Sequence, residues 1–200
     1  MRKMQYSAGI VSRPLWFLEF KKTAKLKAEG LTDAQIKEKA IKENLYGAPT
    51  DYRAGQIFNT IIRRVKSLDE TILKIFVSSD IATEKAIAII AAMKTDLLFF
   101  EFMHEVYREK LILGDERITD KDLNIFFTNK RTQSEIIAKW TVQTVTRIIQ
   151  CYTAYLFEAG LIDSSNGERT IIKPILDITL ENYLKNSKME QFVYALTGER

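Results

Sequence analysis

The chain has 200 residues, of which 46% are hydrophobic and 28% charged, and carries 30 Lys and Arg against 26 Asp and Glu for a net charge of +4. That length accommodates one large domain or two small ones. The apolar content supplies a core and excludes a disordered chain, and a lone cysteine, Cys151, excludes an intramolecular disulfide. Eight Gly and three Pro are too few for a turn-rich β fold. Abundant Ala, Leu, Ile, Lys and Glu favour helices instead.

The opening MRKMQYSAGIVSRP lacks the apolar core of a signal peptide. The most apolar stretch, Ala86 to Phe100, is interrupted by Lys94 and Asp96. It falls short of the roughly 20 residues that a spanning helix requires. A cytoplasmic protein is expected. A mildly basic chain suggests nucleic acid only if its positive charges gather on one surface.

In chain order, Ser12 with Arg13-Pro14 offers an N-cap followed by Pro in a first turn, which predicts a helix to about Glu29 closed by Gly30. Thr32 and Gln35 form a capping-box pattern for a short helix to about Glu43. After the loop Asn44 to Pro49, Thr50 caps a helix over 51–67. Its Ala54, Ile57, Phe58, Ile61, Ile62, Val65 and Leu68 define one buried face by three-four spacing. A short helix over 69–77 follows, and Ser78-Ser79-Asp80 marks a boundary.

Thr83 to Leu113 reads as one or two helices, breaking at Lys94-Thr95-Asp96 with Thr95 as a possible cap. Thr119 and Asp122 open a helix over 120–129, a further one covers 133–139, and Thr141 caps a long helix to Ala159 closed by Gly160. Leu161-Ile162, a turn at Asn166-Gly167, and Thr170 to Ile172 predict a β-hairpin. Two short helices, 179–186 and 188–196, end the chain. The expected fold class is all-α in two parts. Residues 1–78 would form a helix-turn-helix-like domain, and 79–200 a helical domain whose C-terminal part is winged-helix-like with one small hairpin.

Two constellations carry nucleic-acid chemistry. On the helix after Thr50, Gln56, Asn59, Arg63 and Lys66 fall within about 80° of one another at 100° per residue. Arg pairs bidentately with guanine or phosphate, and Asn or Gln with adenine. Arg53 and Arg64 flank this face as phosphate ligands. In the C-terminal part, the order short helix, short helix, long helix, hairpin is that of a winged helix. Its reader helix would face inward with Val142, Val145, Ile149, Tyr152 and Leu156, and outward with Gln143, Arg147 and Gln150. Lys139, Thr141 and Thr144 lie at the helix start, where unpaired N–H groups favour a phosphate. Arg169 and Lys173 flank the wing. The alternative for both faces is a solvated surface or a protein contact.

Enzyme signatures are poor. His104 is the single histidine, so the spacing Glu101-x-x-His104 has no second copy to complete a bundle metal site. It reads as a surface or inter-helix hydrogen-bonding group, and Glu101 and Glu105 as helix-surface partners of Arg108 and neighbouring lysines. Cys151 lies in an amphipathic helix and reads as a packed thiol. No phosphate-binding loop or dinucleotide fingerprint is present. Phe99, Phe100, Phe102 and Tyr107 recur beside Leu97, Leu98, Met103 and Val106 and read as core rather than as base-stacking residues. Neither a catalytic residue, a cofactor nor a metal is expected.

The segments Tyr6 to Gly9 with Ser12 to Pro14, Lys94 to Met103 with Val106 to Lys110, and Ile136 to Trp140 through Glu158 to Leu161 together resemble the BrxA family of bacteriophage exclusion (BREX) defence systems. The resemblance spans roughly residues 5 to 184 and lies in the order and spacing of these strings, none of which is a catalytic motif. It implies a small accessory protein working beside a methyltransferase, an ATPase and other BREX components. It also implies a helical double-stranded DNA binder, with RNA left open by a suggested likeness to an antitermination fold. An inner-membrane role for the family does not fit this sequence. The expected function is non-enzymatic double-stranded DNA binding in phage defence. The alternatives are a protein-interaction scaffold within the defence complex and an RNA-binding helical bundle.

Overall fold

The computed structural model describes residues 5–199. Among them it is mainly helical, with one two-stranded antiparallel sheet, and no helix is long and apolar enough to cross a membrane. The chain packs as two compact units, residues 15–95 and residues 1–14 with 96–200. The division at Thr95 falls later than the Ser78 boundary read from the sequence, because the apolar helix that follows Asp80 packs with the helices before it.

The first unit, 15–95, is built from α1 (Phe17–Ala28), α2 (Asp33–Lys42), α3 (Asp51–Val65), α4 (Glu70–Ser78) and α5 (Ile81–Thr95). Helix α1 starts later than the sequence suggests. Ser12 instead closes a 3₁₀ turn, Gly9–Ser12, and Pro14 excludes helical geometry at Arg13, whose φ and ψ are −127° and 83°. Trp16 then caps α1 in the left-handed region, at φ 54°. At the other end Gly30 takes φ 92°, a conformation that suits glycine.

Helix α2 has the expected capping box: the Thr32 hydroxyl accepts from the Gln35 N–H, and the Gln35 side chain accepts from the Thr32 N–H at 2.8 Å. Thr50 caps α3, accepting from the Arg53 N–H at 3.2 Å, and Asp69 caps α4. Ala54, Ile57, Phe58, Ile61, Ile62 and Val65 are buried on α3 as its periodicity predicts. Helix α5 is buried nearly all round from Ala86 to Met93, and α1, α3 and α4 pack against it. Phe20 meets Phe76 edge to face, 5.5 Å between ring centres. Buried Glu84 is ion-paired with Lys21.

The second unit begins with a helix that changes pitch. Helix α6 (Leu97–Phe102) runs through a π-helical segment, Met103–Arg108, into α7 (Glu109–Leu113), which Gly114 closes at φ 71°. Asp96, not Thr95, caps α6, accepting from the Phe99 N–H at 2.9 Å. The Thr95 hydroxyl is turned back onto the Ala91 carbonyl. Next come β1 (Arg117–Ile118), α8 (Asp120–Gln133), α9 (Glu135–Ala138), α10 (Val142–Ala159), β2 (Arg169–Thr170), α11 (Ile178–Asn186) and α12 (Glu190–Thr197). Thr119 and Asp122 form a second capping box on α8, and Gly160 closes α10 at φ 76°.

Two expectations change here. The hairpin is present in outline, with the Asp163 N–H bonded to the Thr170 carbonyl at 3.1 Å and the Ile172 N–H to the Leu161 carbonyl at 2.8 Å. The assigned ladder, however, pairs β2 with β1, Arg117 opposite Thr170 and Ile118 opposite Arg169. Helix α10 keeps Tyr152 and Leu156 inward as predicted, but Val142 is at the surface and Val145 and Ile149 are only partly covered. Its buried residues are Ile148, Tyr152, Thr153, Tyr155 and Leu156, whereas Val142 is 73% exposed. Tyr152 decides this register. It is fully buried, with Phe99 and Phe102 each 5.0 Å away and Phe127 at 6.4 Å between ring centres, so the helix turns that edge inward. The Tyr155 hydroxyl donates to the Arg13 carbonyl, and Cys151 Sγ lies 3.5 Å from the Ile10 carbonyl oxygen. These contacts fix the 3₁₀ turn against α10.

Candidate nucleic-acid interface

On α3, Gln56, Asn59, Arg63 and Lys66 are exposed along one side, opposite the buried face. Arg53 is half-buried. Its guanidinium lies 5.1 Å from the centre of the Trp16 ring, and its Nη1 donates to Gln56 Oε1 at 3.1 Å. The planar guanidinium is therefore held by an aromatic face and an amide. Lys66 reaches Asp33 at 2.9 Å, a carboxylate that Lys27 also bonds at 2.7 Å. The two lysines hold the Asp33 carboxyl below the usual range.

Arg64 does not flank this face. It is 3% exposed, and its Nη1 donates to the Leu15 carbonyl at 2.8 Å. It sits one residue, or about 100°, round the helix from Arg63, which carries it into the core, where its Nη1 is held by that backbone carbonyl.

On α10, Gln143, Arg147 and Gln150 are exposed, with Thr146 between them and Lys139 and Thr141 just ahead. Thr141 accepts from the Thr144 N–H at 3.1 Å, and the two hydroxyls lie 3.0 Å apart, so capping occupies both. The first turn carries no acidic residue, which leaves the positive end of the helix dipole without a carboxylate of its own. The wing is not the cationic element expected. Arg169 is 5% exposed, its Nη1 bonded to Asp120 at 2.9 Å and its Nε to the Ser165 carbonyl at 3.4 Å. Its alternating partner position on β2 points it inward. Lys173 is exposed. The turn itself presents Asn166, Gly167 and Glu168, and Glu168 is paired with Arg117 at 2.6 Å.

Charge is divided unequally between the units. Residues 15–95 hold 14 Lys and Arg against 10 Asp and Glu, a surplus of +4, and the remaining residues hold 16 against 16. The whole net charge of the chain thus belongs to the unit that carries α3.

The family model of BrxA matches residues 4–188. A "BREX protein BrxA" from Bacillus cereus (strain H3081.97) is 39% identical over 199 residues, covering all of both chains. The chain belongs to the BrxA family. The crystal structure of an uncharacterized protein from Magnetospirillum magneticum superposes with a TM-score of 0.79 at 18% identity, covering 98% of this chain and all of that one. At that identity the likeness concerns the fold.

The groups that would serve catalysis are placed differently in this BrxA-family chain. His104 is half-buried in the π-helical segment, its ring 4.5 Å from that of Phe100. Burial, and next to it the charge of Arg108, holds its pKa below the ordinary histidine value. Burial pushes the Cys151 thiol up, away from thiolate reactivity. Glu101 and Glu105 are not partners of Arg108. Both bind Lys130, at 2.7 and 2.5 Å, and Tyr6 donates to Glu101 at 3.0 Å. Lys130 is 3% exposed, and nothing in the α8 pattern distinguished it from the exposed lysines. Among the described residues no group of three or more His, Cys, Asp or Glu side chains is gathered as a metal would need.

Proposed function

We propose that this chain is a non-enzymatic, cytoplasmic, double-stranded DNA-binding accessory protein of a BREX-type phage-defence system, working with other components of that system. The observation that carries the reading is the coincidence, in residues 15–95, of the entire positive surplus with the exposed Gln56, Asn59, Arg63 and Lys66 face of α3. Lysines and arginines release condensed counterions from the phosphates, so binding is electrostatic and salt-dependent. The other unit supports the reading by its element order. A helix, β1, α8, a short α9, the long α10 and a hairpin follow one another as in a winged helix, with α10 in the place of the reader.

Fluorescence anisotropy of a labelled duplex, titrated from low to physiological salt with structured RNA as competitor, tests the function. Salt-sensitive binding that RNA does not displace preferentially is the expected result. Reversing charge at Arg63 and Arg147 together abolishes it while leaving the helical circular dichroism intact. No binding at low salt, or undiminished binding by that double variant, overturns the assignment. Preferential displacement by RNA moves it to the RNA-binding reading. A second reading, docking to another protein of the defence system, is favoured by the exposed isoleucines Ile172, Ile175 and Ile178, which are 46%, 94% and 65% exposed.

A further inference from the structure

Helix α10 has an outer face that charge alone does not explain. At 100° per residue, Thr146, Gln150, Gln143 and Arg147 lie within about 100° of arc, and all four are exposed. Val142, 73% exposed in the first turn, stands about 40° beyond the Thr146 edge of that arc. The unit carrying this face has no net charge, so long-range attraction to phosphate contributes little here. What the face offers is amide and hydroxyl groups, one guanidinium and an aliphatic branch pointing to solvent. That mixture matches the edges of base pairs in the major groove. Glutamine pairs with adenine N6 and N7, arginine with guanine, and an apolar group fits the thymine methyl. At 18 residues and about 1.5 Å per residue, the helix is long enough to lie in the groove.

We propose that Val142 is a specificity-determining residue of the DNA complex, packing against the 5-methyl group of thymine while Gln143 and Arg147 read neighbouring base edges. This deepens the DNA-binding reading and rests on it. The unit holding α3 supplies attraction that is blind to sequence, and α10 supplies discrimination. Val142 has Thr146 as its polar neighbour one turn on, and in a groove-reading face its exposed branch would find the apolar contact that water does not offer.

The 5-methyl group can be removed without changing pairing. The full chain is titrated by fluorescence anisotropy against alternating dA–dT and dA–dU duplexes of equal length. The thymine duplex is expected to bind about fourfold more tightly, the effect of burying one methyl-sized group. Val142→Ala should abolish that ratio while its circular dichroism stays that of the wild type, since the side chain is exposed. Arg63→Glu with Lys66→Glu should weaken both duplexes equally and preserve the ratio. Equal wild-type affinity for the two duplexes overturns the assignment of Val142 and leaves DNA binding standing. A Val142→Ala protein that keeps the ratio, or weakens both duplexes alike, overturns it too. No binding to either duplex removes the DNA-binding reading itself, and this inference with it.

Discussion

The two long amphipathic helices, α3 and α10, present polar faces of similar composition in units of different charge. On α3 the arginines and the lysine are partly engaged at home. Arg64 is spent on the Leu15 carbonyl, Arg53 is held by Trp16 and Gln56, and Lys66 leans on Asp33. The unit nevertheless keeps a +4 surplus. On α10 the polar side chains reach out, while the unit's cations are balanced one for one, several of them in internal pairs. The lesson is that a face's residue types and its unit's charge are separate quantities. One sets what can be recognised, the other how strongly an anion is drawn in. A further asymmetry makes the comparison measurable: Trp16 lies in one unit and Trp140 in the other. Trp16→Phe and Trp140→Phe proteins therefore report the units separately by fluorescence.

The largest effect should come from Lys130, a buried cation of the neutral unit. Removing one partner of a buried ion pair leaves an uncompensated charge and typically costs 3–5 kcal/mol. Glu101 and Glu105 are partly exposed, at 21% and 46% of their side chains, so solvent relieves part of that cost. Lys130→Met should lower stability by about 2–3 kcal/mol. Urea unfolding followed through Trp140 would report it, and an unchanged midpoint would show that the pair contributes no stability.

On the charged unit, Arg63→Glu with Lys66→Glu should weaken duplex binding by roughly tenfold or more and reduce the salt slope by about 2. Arg64→Ala should do the opposite: stability falls through the lost buried bond, while the salt slope of the folded protein is unchanged. If both variants alter the slope alike, Arg64 is not the structural residue its burial makes it. Next in size are the caps. Thr32→Ala and Thr119→Ala each remove a capping box and should cost about 1 kcal/mol, the first seen by Trp16 and the second by Trp140.

Features set by local chemistry were readable in the chain. The caps at Thr32, Thr50, Thr119 and Thr141 and the left-handed Gly30 and Gly160 stand where the sequence placed them, because each depends on residues three or four apart. Features set across the fold were not. Arg64 and Arg169 find their partners 49 residues away in both cases, and a long cationic side chain looks the same in sequence whether it goes inward or out. Two-residue β1 is too short to show alternation. On α10 the pattern places Tyr152 and Leu156 inward, as the structure has them, but Val142, Val145 and Ile149 lie within about 80° of Tyr152 and extend the apolar face past the part that the fold covers. The aromatic packing of Tyr152 holds the middle of the helix inward, while its first turn, with Val142, stays at the surface. Of the candidate interface, Gln56, Asn59, Arg63, Lys66, Gln143 and Arg147 are at the surface as read, while the burial of Arg64 and Arg169 needed the fold.

The smallest expected effect separates the units by pH. The single histidine, His104, lies in the neutral unit. Its Nε2 is buried without a partner among the described residues, and the groups about it pull in opposite directions: Arg108 lowers its pKa, while Glu105, Glu109 and a backbone bond with Gln191 raise it. Burial leads, and the net direction is downward from 6.5. The folded state thus holds fewer protons than the unfolded one at pH values between the lowered pKa and about 6.5, so stability rises with pH across that window. Above it the imidazole is neutral in both states and contributes no slope. The carboxylates with lowered values, Asp33, Asp80, Asp122 and Asp163, lose their contribution only in more acid solution, below the ordinary carboxylate range. Between pH 7.5 and 5.5, then, the Trp140 signal should show a modest loss of stability that His104→Gln removes, and the Trp16 signal should show none. A loss of equal size in the His104→Gln protein would assign the acid sensitivity of the neutral unit to other groups.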